Sequence, residues 1–386
     1  MNILVIGAGM YVTGRDNSGV GTVLSSLLQT SKEININSIT IVAKSYDNNN
    51  MVKEVTEKIN NKLKSMVNVE YISLLDISLE KICKENKYQC AIVSTPDHLH
   101  FEQIKILFEN NIHVLSVKPL VPTVKENLDL ITLQKKKNLL GMVEFHKRYD
   151  EANLYTKKII QENTLGRVLY YDVDYSQKIS VPTKTFKNWV EHTNIFQYLG
   201  VHYIDLFYFM TGFKPKRVMA YGTNGILKEK GIDTYDSIHA KVIWVDESGQ
   251  ENLSILNISW VDPNCTSAMS DQKYKIVCTG GRIENDHKNR GIELVSNTVG
   301  IQHPNPYFSD YLLDVNNNYE FIGYGHKSIR QFILDVNDVL NKDKSIEELE
   351  VVRATFTQSL VATSIVEAVN KSLENRSEWE NINVEF

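Results

Sequence analysis

Lys118, Tyr198, His202 and Asp205 are the residues whose types and spacing could do chemistry. The last three fall in the run Phe196-Gln197-Tyr198-Leu199-Gly200-Val201-His202-Tyr203-Ile204-Asp205-Leu206, where helical spacing would set them on a single face. A lone His on an aromatic helix is usually a satisfied core residue, but a polar triad on an otherwise apolar helix reads as a site. Gly200 inside that helix predicts close approach of a ligand or another backbone, and Gly212 is its expected stop. Lys118 ends an apolar run in Val117-Lys118-Pro119. Such a Lys is either a solvated charge or, restrained by the following proline, a group that hydrogen-bonds a hydroxyl and helps carry its proton. An imidazole with an unperturbed pKa near ~6.5 could take that proton while the ammonium polarises the oxygen. Together they suit proton removal from a secondary alcohol as a hydride leaves its carbon.

Such groups need a scaffold that brings a hydride acceptor to them. Ile3-Leu4-Val5-Ile6 breaks into Gly7-Ala8-Gly9, the pattern of a buried parallel strand handing over to a phosphate-binding turn. The first glycine permits the turn, and the second lets backbone approach a pyrophosphate. Ser94-Thr95-Pro96-Asp97-His98-Leu99-His100 follows another apolar run, with Pro96 to stop a strand and Asp97 to cap a helix starting near His98. By itself that segment is equally an ordinary strand-to-helix turn.

Strands are expected at 2–6, 39–43, 69–73, 90–95, 112–117 and 140–144, with amphipathic helices at 51–66, 78–87, 100–110 and 123–137 between them. This alternation predicts a doubly wound parallel α/β sheet, a Rossmann domain, over residues 1–148. Beyond it, 169–175, 217–221, 237–244 and 252–260 are aromatic and alternating, as half-exposed antiparallel strands would be. Residues 237–260 read as a hairpin, and two more strands fit 273–279 and 282–284 around Gly280-Gly281. Helices close the chain at 326–341 and 346–373. The Asn-rich stretches 47–50 and 315–318 read as loops. Residues 149–386 would then form an α+β domain with an open, mostly antiparallel sheet, helices on one face and a second copy of the chain on the other.

The 386 residues carry a formal charge of −5, with 42% hydrophobic and 23% charged residues. That balance suits a globular protein whose partners are neither nucleic acid nor an anionic membrane. Cys83, Cys90, Cys265 and Cys278 form no Cys-x-x-Cys pair and read as reduced thiols, with neither a disulfide framework nor a metal site. No apolar run approaches the ~20 residues of a membrane span. With a strand beginning at the second residue, a signal peptide is not expected and the cytoplasm is.

These residues, in this order, resemble the Gfo/Idh/MocA family, the glucose–fructose oxidoreductase and inositol dehydrogenase group. The resemblance runs along nearly the whole chain: Gly7-Ala8-Gly9 for the nucleotide turn, Thr95-Pro96 with His100 for TP-x-x-x-H, Val117-Lys118-Pro119 for Glu-Lys-Pro, and Phe145 to Arg148 for the segment after the Rossmann domain. Gly200 to Asp205 matches G-x-H-x-x-D, and Gly280-Gly281-Arg282-Ile283 a strand turn of the second sheet. It implies an NAD(P)-dependent dehydrogenase or reductase acting on a sugar, cyclitol or sugar derivative, with Lys118 and His202 as catalytic pair and a homodimer or homotetramer built through the C-terminal sheet. Two departures stand out. Val117 replaces the Glu before Lys118, and Tyr198 replaces an Asp four residues before His202, which gives the phenol a place in substrate binding or proton relay.

The dinucleotide is expected to contact Gly7, Gly9, Met10, Tyr11, Arg15, Lys44, Ser45, Thr95, Pro96, His98, His100, Lys118, Pro119 and Arg148. The substrate is expected at Lys118, Trp189, Tyr198, His202 and Asp205, with Lys178, Lys187, Asn194 and Asp233 as further polar lining. Ile41-Val42-Ala43-Lys44-Ser45 has no carboxylate for ribose hydroxyls before Asp47, whereas Lys44 and Ser45 could receive a 2′-phosphate. NADP is therefore preferred to NAD. Two other readings are a non-catalytic, sugar-responsive NAD(P)-binding regulator, which would not need both Lys118 and His202, and an NAD-dependent glycosidase working by elimination.

Overall fold

Short, mainly apolar runs bounded by polar turns are too brief for buried helices and suit strands of a parallel sheet. In the computed structural model, which describes residues 1–14 and 21–386, they form β1 (Asn2–Ile6), β2 (Ser38–Ala43), β3 (Asn68–Ser73), β4 (Cys90–Val93), β5 (His113–Val117) and β6 (Gly141–Glu144). All pair in parallel, in the order β3-β2-β1-β4-β5-β6. The order reverses between β1 and β4, and a doubly wound sheet binds its ligands beyond the carboxyl ends of such strands.

The chain divides into two compact units, one of residues 1–121, 125–150 and 306–359, the other of residues 122–124, 151–305 and 360–386. The return of 306–359 to the first unit is something a single boundary at 148 does not describe. Its physical cause is the helix Tyr324–Asn341, which buries Ile329, Phe332, Ile333 and Val336 at helical spacing in the same core as Ile3, Leu24, Leu27 and Ile39. The continuous helix expected over 346–373 is two, Ile346–Val352 and Phe356–Glu374. Between them Ala354 accepts the Val143 N–H at 2.7 Å and Thr355 bridges Met142, so the chain leaves the helix to pair with the edge of β6. The Asn-rich stretch expected to be a loop instead opens the helix Asn48–Leu63, whose Val52, Thr56, Ile59 and Leu63 are buried at intervals that outweigh the weak helix preference of Asn.

The second unit holds a seven-stranded sheet. Its long strands are β7 (Val168–Lys178), β8 (Lys214–Thr223), β9 (Ser237–Val245), β10 (Glu251–Asp262), β11 (Ser270–Cys278) and β12 (Gly281–Asp286), with the short strand Glu380–Asn381 at one edge. The expected hairpin is β9 and β10, closed by a turn in which Asp246 Oδ1 accepts the Ser248 and Gln250 N–H groups and Gly249 has φ +83°. The sheet is mostly antiparallel, as expected, with one parallel pair at its centre, β7 and β10. One face buries Val173, Tyr175, Leu256, Ile258, Tyr274 and Ile276; the other presents Asp172, Asp174, Lys241, Lys273 and Lys275 around Leu253 and Ile255.

Candidate active site

The backbone must turn sharply after β1, and Gly7 does so at φ +111°. A Cβ there would lie 2.2 Å from the Ser94 carbonyl oxygen, so the turn admits only glycine. Gly9 is the opposite case: it is exposed, and a Cβ would meet no atom of the described residues within 4 Å. The turn thus offers bare backbone to open space, a cradle that fits a pyrophosphate. The Gly9 carbonyl accepts the Val12 and Thr13 N–H groups at 2.9 and 3.0 Å, which starts the helical turn Met10–Thr13. Met10 is exposed beside the cradle, whereas Tyr11 packs against the core. Arg15 lies outside the described residues.

After β4, Asp97 Oδ1 accepts the His98 N–H at 2.8 Å and a short helical turn leads into the helix His100–Glu109. Thr95 Oγ1 donates to Gln103 Oε1 at 2.7 Å, and His98 is exposed. His100 is 0% exposed. Its Nε2 lies 2.8 Å from the Thr95 carbonyl oxygen, and its Nδ1 lies 3.0 and 2.9 Å from the carbonyls of Pro119 and Leu120. The ring therefore staples the turn after β4 to the turn after β5 and cannot face a ligand, which corrects its expected cofactor contact.

Lys118 follows β5 at the same sheet edge and is partly buried; the Lys118–Pro119 peptide is cis. Loss of water around its ammonium pulls the pKa down to about 7, against the opposing pull of Glu144 and then Asp97, while Lys147 pushes it down further. An amine at that value exchanges a proton near neutrality. Glu144 closes β6, is 2% exposed, and meets His146 Nδ1 through Oε2 at 2.9 Å. Glu144 and His146 are not among the residues expected from sequence, although their place at a strand's carboxyl end was a usable signal. Arg148 is buried with its Nη1 donating to Gln358 Oε1 at 2.6 Å and its guanidinium 5.7 Å from the Phe145 ring centre. It ties the returning segment down, which corrects its expected cofactor role. After β2, Lys44 is exposed and Ser45 half-buried; Tyr71 donates its hydroxyl to the Ser45 carbonyl and fixes that turn.

In the second unit the expected helix begins with one wide turn, in which the Val201 N–H reaches back five residues to Phe196, before regular helix runs from Val201 to Thr211. The close approach at Gly200 is by the Phe196 ring, 2.8 Å from where a Cβ would be; neither a ligand nor another backbone is the cause. Gly212 ends the helix at φ +73°. His202 and Asp205 are both buried, at 4% and 2% exposure. Tyr198, half-buried, stands among Phe186, Trp189 and Trp260 at ring separations of 4.9, 6.2 and 5.9 Å. Burial, with Tyr175 nearby, pushes its phenol well above the usual range, so Tyr198 stays a hydrogen-bond donor and is no base. Asn194 donates to Asn370 at 2.7 Å and caps the wide turn by accepting the Gln197 N–H. Lys178 is half-buried, while Lys187 and Asp233 are exposed. Among the described residues no His, Cys, Asp and Glu group could hold a metal ion, and no helix is long and apolar enough to cross a membrane.

A family described as an oxidoreductase family with NAD-binding Rossmann fold matches residues 1–145, and the GFO/IDH/MocA C-terminal domain matches 154–284. The chain belongs to the Gfo/Idh/MocA family. Among similar proteins are scyllo-inositol 2-dehydrogenase (NADP(+)) IolW of Bacillus subtilis, 29% identical over 42% of this chain and 44% of the relative, and levoglucosan dehydrogenase of Pseudarthrobacter phenanthrenivorans, 29% identical over 31% and 32%. These matches span less than half the length of either relative. Scyllo-inositol dehydrogenase from Lactobacillus casei, solved with NAD(H) and scyllo-inositol, shares the fold with a TM-score of 0.69 over 99% of both chains at 14% identity.

Proposed function

We propose that this protein is an NAD(P)-dependent dehydrogenase or reductase that interconverts a secondary alcohol and a ketone on a cyclitol, sugar or sugar derivative. The observation that carries the reading is Lys118: a partly buried amine near neutrality, on the same sheet edge as an open glycine cradle. Gly7, Gly9 and Met10 would hold the pyrophosphate end of the dinucleotide, with Thr95, Pro96 and Lys118 further along the edge. When bound, the dinucleotide supplies the hydride donor or acceptor. Lys118 donates a hydrogen bond to the substrate oxygen, and His202 takes the hydroxyl proton during oxidation or returns it during reduction. Tyr198 and the aromatic wall around it orient a ring bearing hydroxyls, its phenol acting as donor. Asp205, buried one turn beyond His202, helps set the substrate pocket.

The exposed Lys44 after β2, with no acid before Asp47, supports NADP over NAD, and the NADP(+) in the name of the Bacillus subtilis relative agrees. The charged and apolar outer face of the second sheet supports self-association. Incubating the protein with either oxidised dinucleotide and a panel of inositols and of free, phosphorylated and nucleotide-linked sugars tests the activity. Reduction of NADP by at least one polyol is expected. Tight dinucleotide binding with no turnover in either direction would favour a regulator instead.

A further inference from the structure

We propose that Glu144 is the positioning carboxylate of Lys118, supplied across the sheet from β6 because β5 brings none of its own. In the parallel register Val117 and Glu144 are direct partners, so Glu144 lies beside the residue that precedes Lys118, at the carboxyl end of the sheet. Position 117 is apolar, and Lys118 follows it immediately. The role rests on the reading of Lys118 as the group that handles the substrate oxygen.

Glu144 is an odd ending for a strand that otherwise reads Gly-Met-Val. Burying a carboxylate is costly unless it is paired, and packing alone would favour an apolar residue there. His146 satisfies only one oxygen, Oε2; Oε1 is buried with no hydrogen-bond partner among the described residues. His146 itself packs against the rings of Phe308 and Tyr324, at 5.1 and 5.7 Å, so the carboxylate has a packed support. The charged groups felt by Lys118 within this unit are Glu144, Asp97 and Lys147, and Glu144 exerts the strongest attraction. An unsupported ammonium beside Lys147 would lose its proton more readily. Glu144 opposes that loss and fixes where the amine rests, without itself touching the reacting atoms.

The test reads Lys118 directly and needs no substrate. The pH dependence of Lys118 acylation by acetic anhydride, followed by peptide mass spectrometry, gives the midpoint at which the amine becomes neutral. In Glu144→Gln the midpoint should fall by about one pH unit or more, the usual effect of removing a nearby opposite charge. Glu144→Asp should fall less, and the double variant with Val117→Glu and Glu144→Gln should recover much of the loss. An unchanged midpoint in Glu144→Gln, with the parent's circular dichroism spectrum, would overturn the assignment; should that variant not fold, an unchanged midpoint in Glu144→Asp would do the same. A shifted midpoint in a protein that turns over no polyol would uphold the assignment and count against the proposed activity alone.

Discussion

Lys118 sits near neutrality because burial strips water from its ammonium while two carboxylates hold part of the charge in place. Below a pH of about 7 it is a donor suited to a ketone oxygen; above it, the neutral amine can share in accepting an alcohol proton. Oxidation should therefore quicken as pH rises through neutrality, and reduction should slow. Lys118→Arg, which stays charged, should lose turnover by roughly 10²–10⁴-fold while fluorescence titration still shows NADPH binding. An active Arg variant would remove Lys118 from proton handling. Lys44 makes a separate prediction: Lys44→Asp should weaken NADPH binding by about tenfold and spare NADH, as loss of one charged contact to a 2′-phosphate would. Equal loss for both dinucleotides would contradict that reading. The place of Lys118 after a strand and the tight turn at Gly7 were legible because such residue types are informative in short patterns. The roles of His100 and Arg148 were not, since a motif gives identity and only the fold shows that each side chain is spent on protein partners.

The glycine turn after β1 offers a contrast that tests the cradle as an element. Gly7→Ala places a carbon 2.2 Å from the Ser94 carbonyl in a backbone region closed to L side chains, so it should destabilise the first unit, by about 2 kcal/mol or more. Gly9→Ala meets nothing among the described residues and should leave the thermal midpoint unchanged while it cuts dinucleotide affinity. Loss of stability in Gly9→Ala, or retained affinity, would show that the turn is not where the pyrophosphate rests. Parallel strands β1, β2, β4, β5 and β6 were readable because burial on both faces makes each a short, mainly apolar run, whereas β3 exposes Asn68 and Glu70 and was readable from its place in the strand–helix alternation. The break at 353–355 was not readable, because the pairing with Met142 and Val143 that ends the helix is made by residues two hundred positions away in the chain (about that separation). The parallel pairing of β7 with β10 was hidden for the same reason: alternation reports which face is buried but says nothing of the neighbour's direction.

At the scale of the whole molecule, 306–359 belongs with the nucleotide-binding unit although it follows the second sheet in sequence. Periodicity shows that the helix Tyr324–Asn341 has an apolar stripe, yet the same stripe would suit either sheet, so its destination was not legible. The outer face of the second sheet raises the question of assembly. Leu253 and Ile255 stand there amid the pairs Lys273–Asp174 and Lys275–Asp172, at 3.8 and 4.0 Å. Light scattering should find a dimer or tetramer, and Ile255→Lys should shift it toward monomer without changing the dinucleotide affinity of the first unit. A monomeric parent protein would contradict assembly through this face. Lys118 and His202 are proposed to act on one substrate oxygen while the dinucleotide is bound. A crystal structure with NADPH tests this most directly. The expected result is nicotinamide C4 facing a pocket lined by both side chains, with the pyrophosphate over Gly9. A ring bound elsewhere, or His202 turned away from it, would contradict the account.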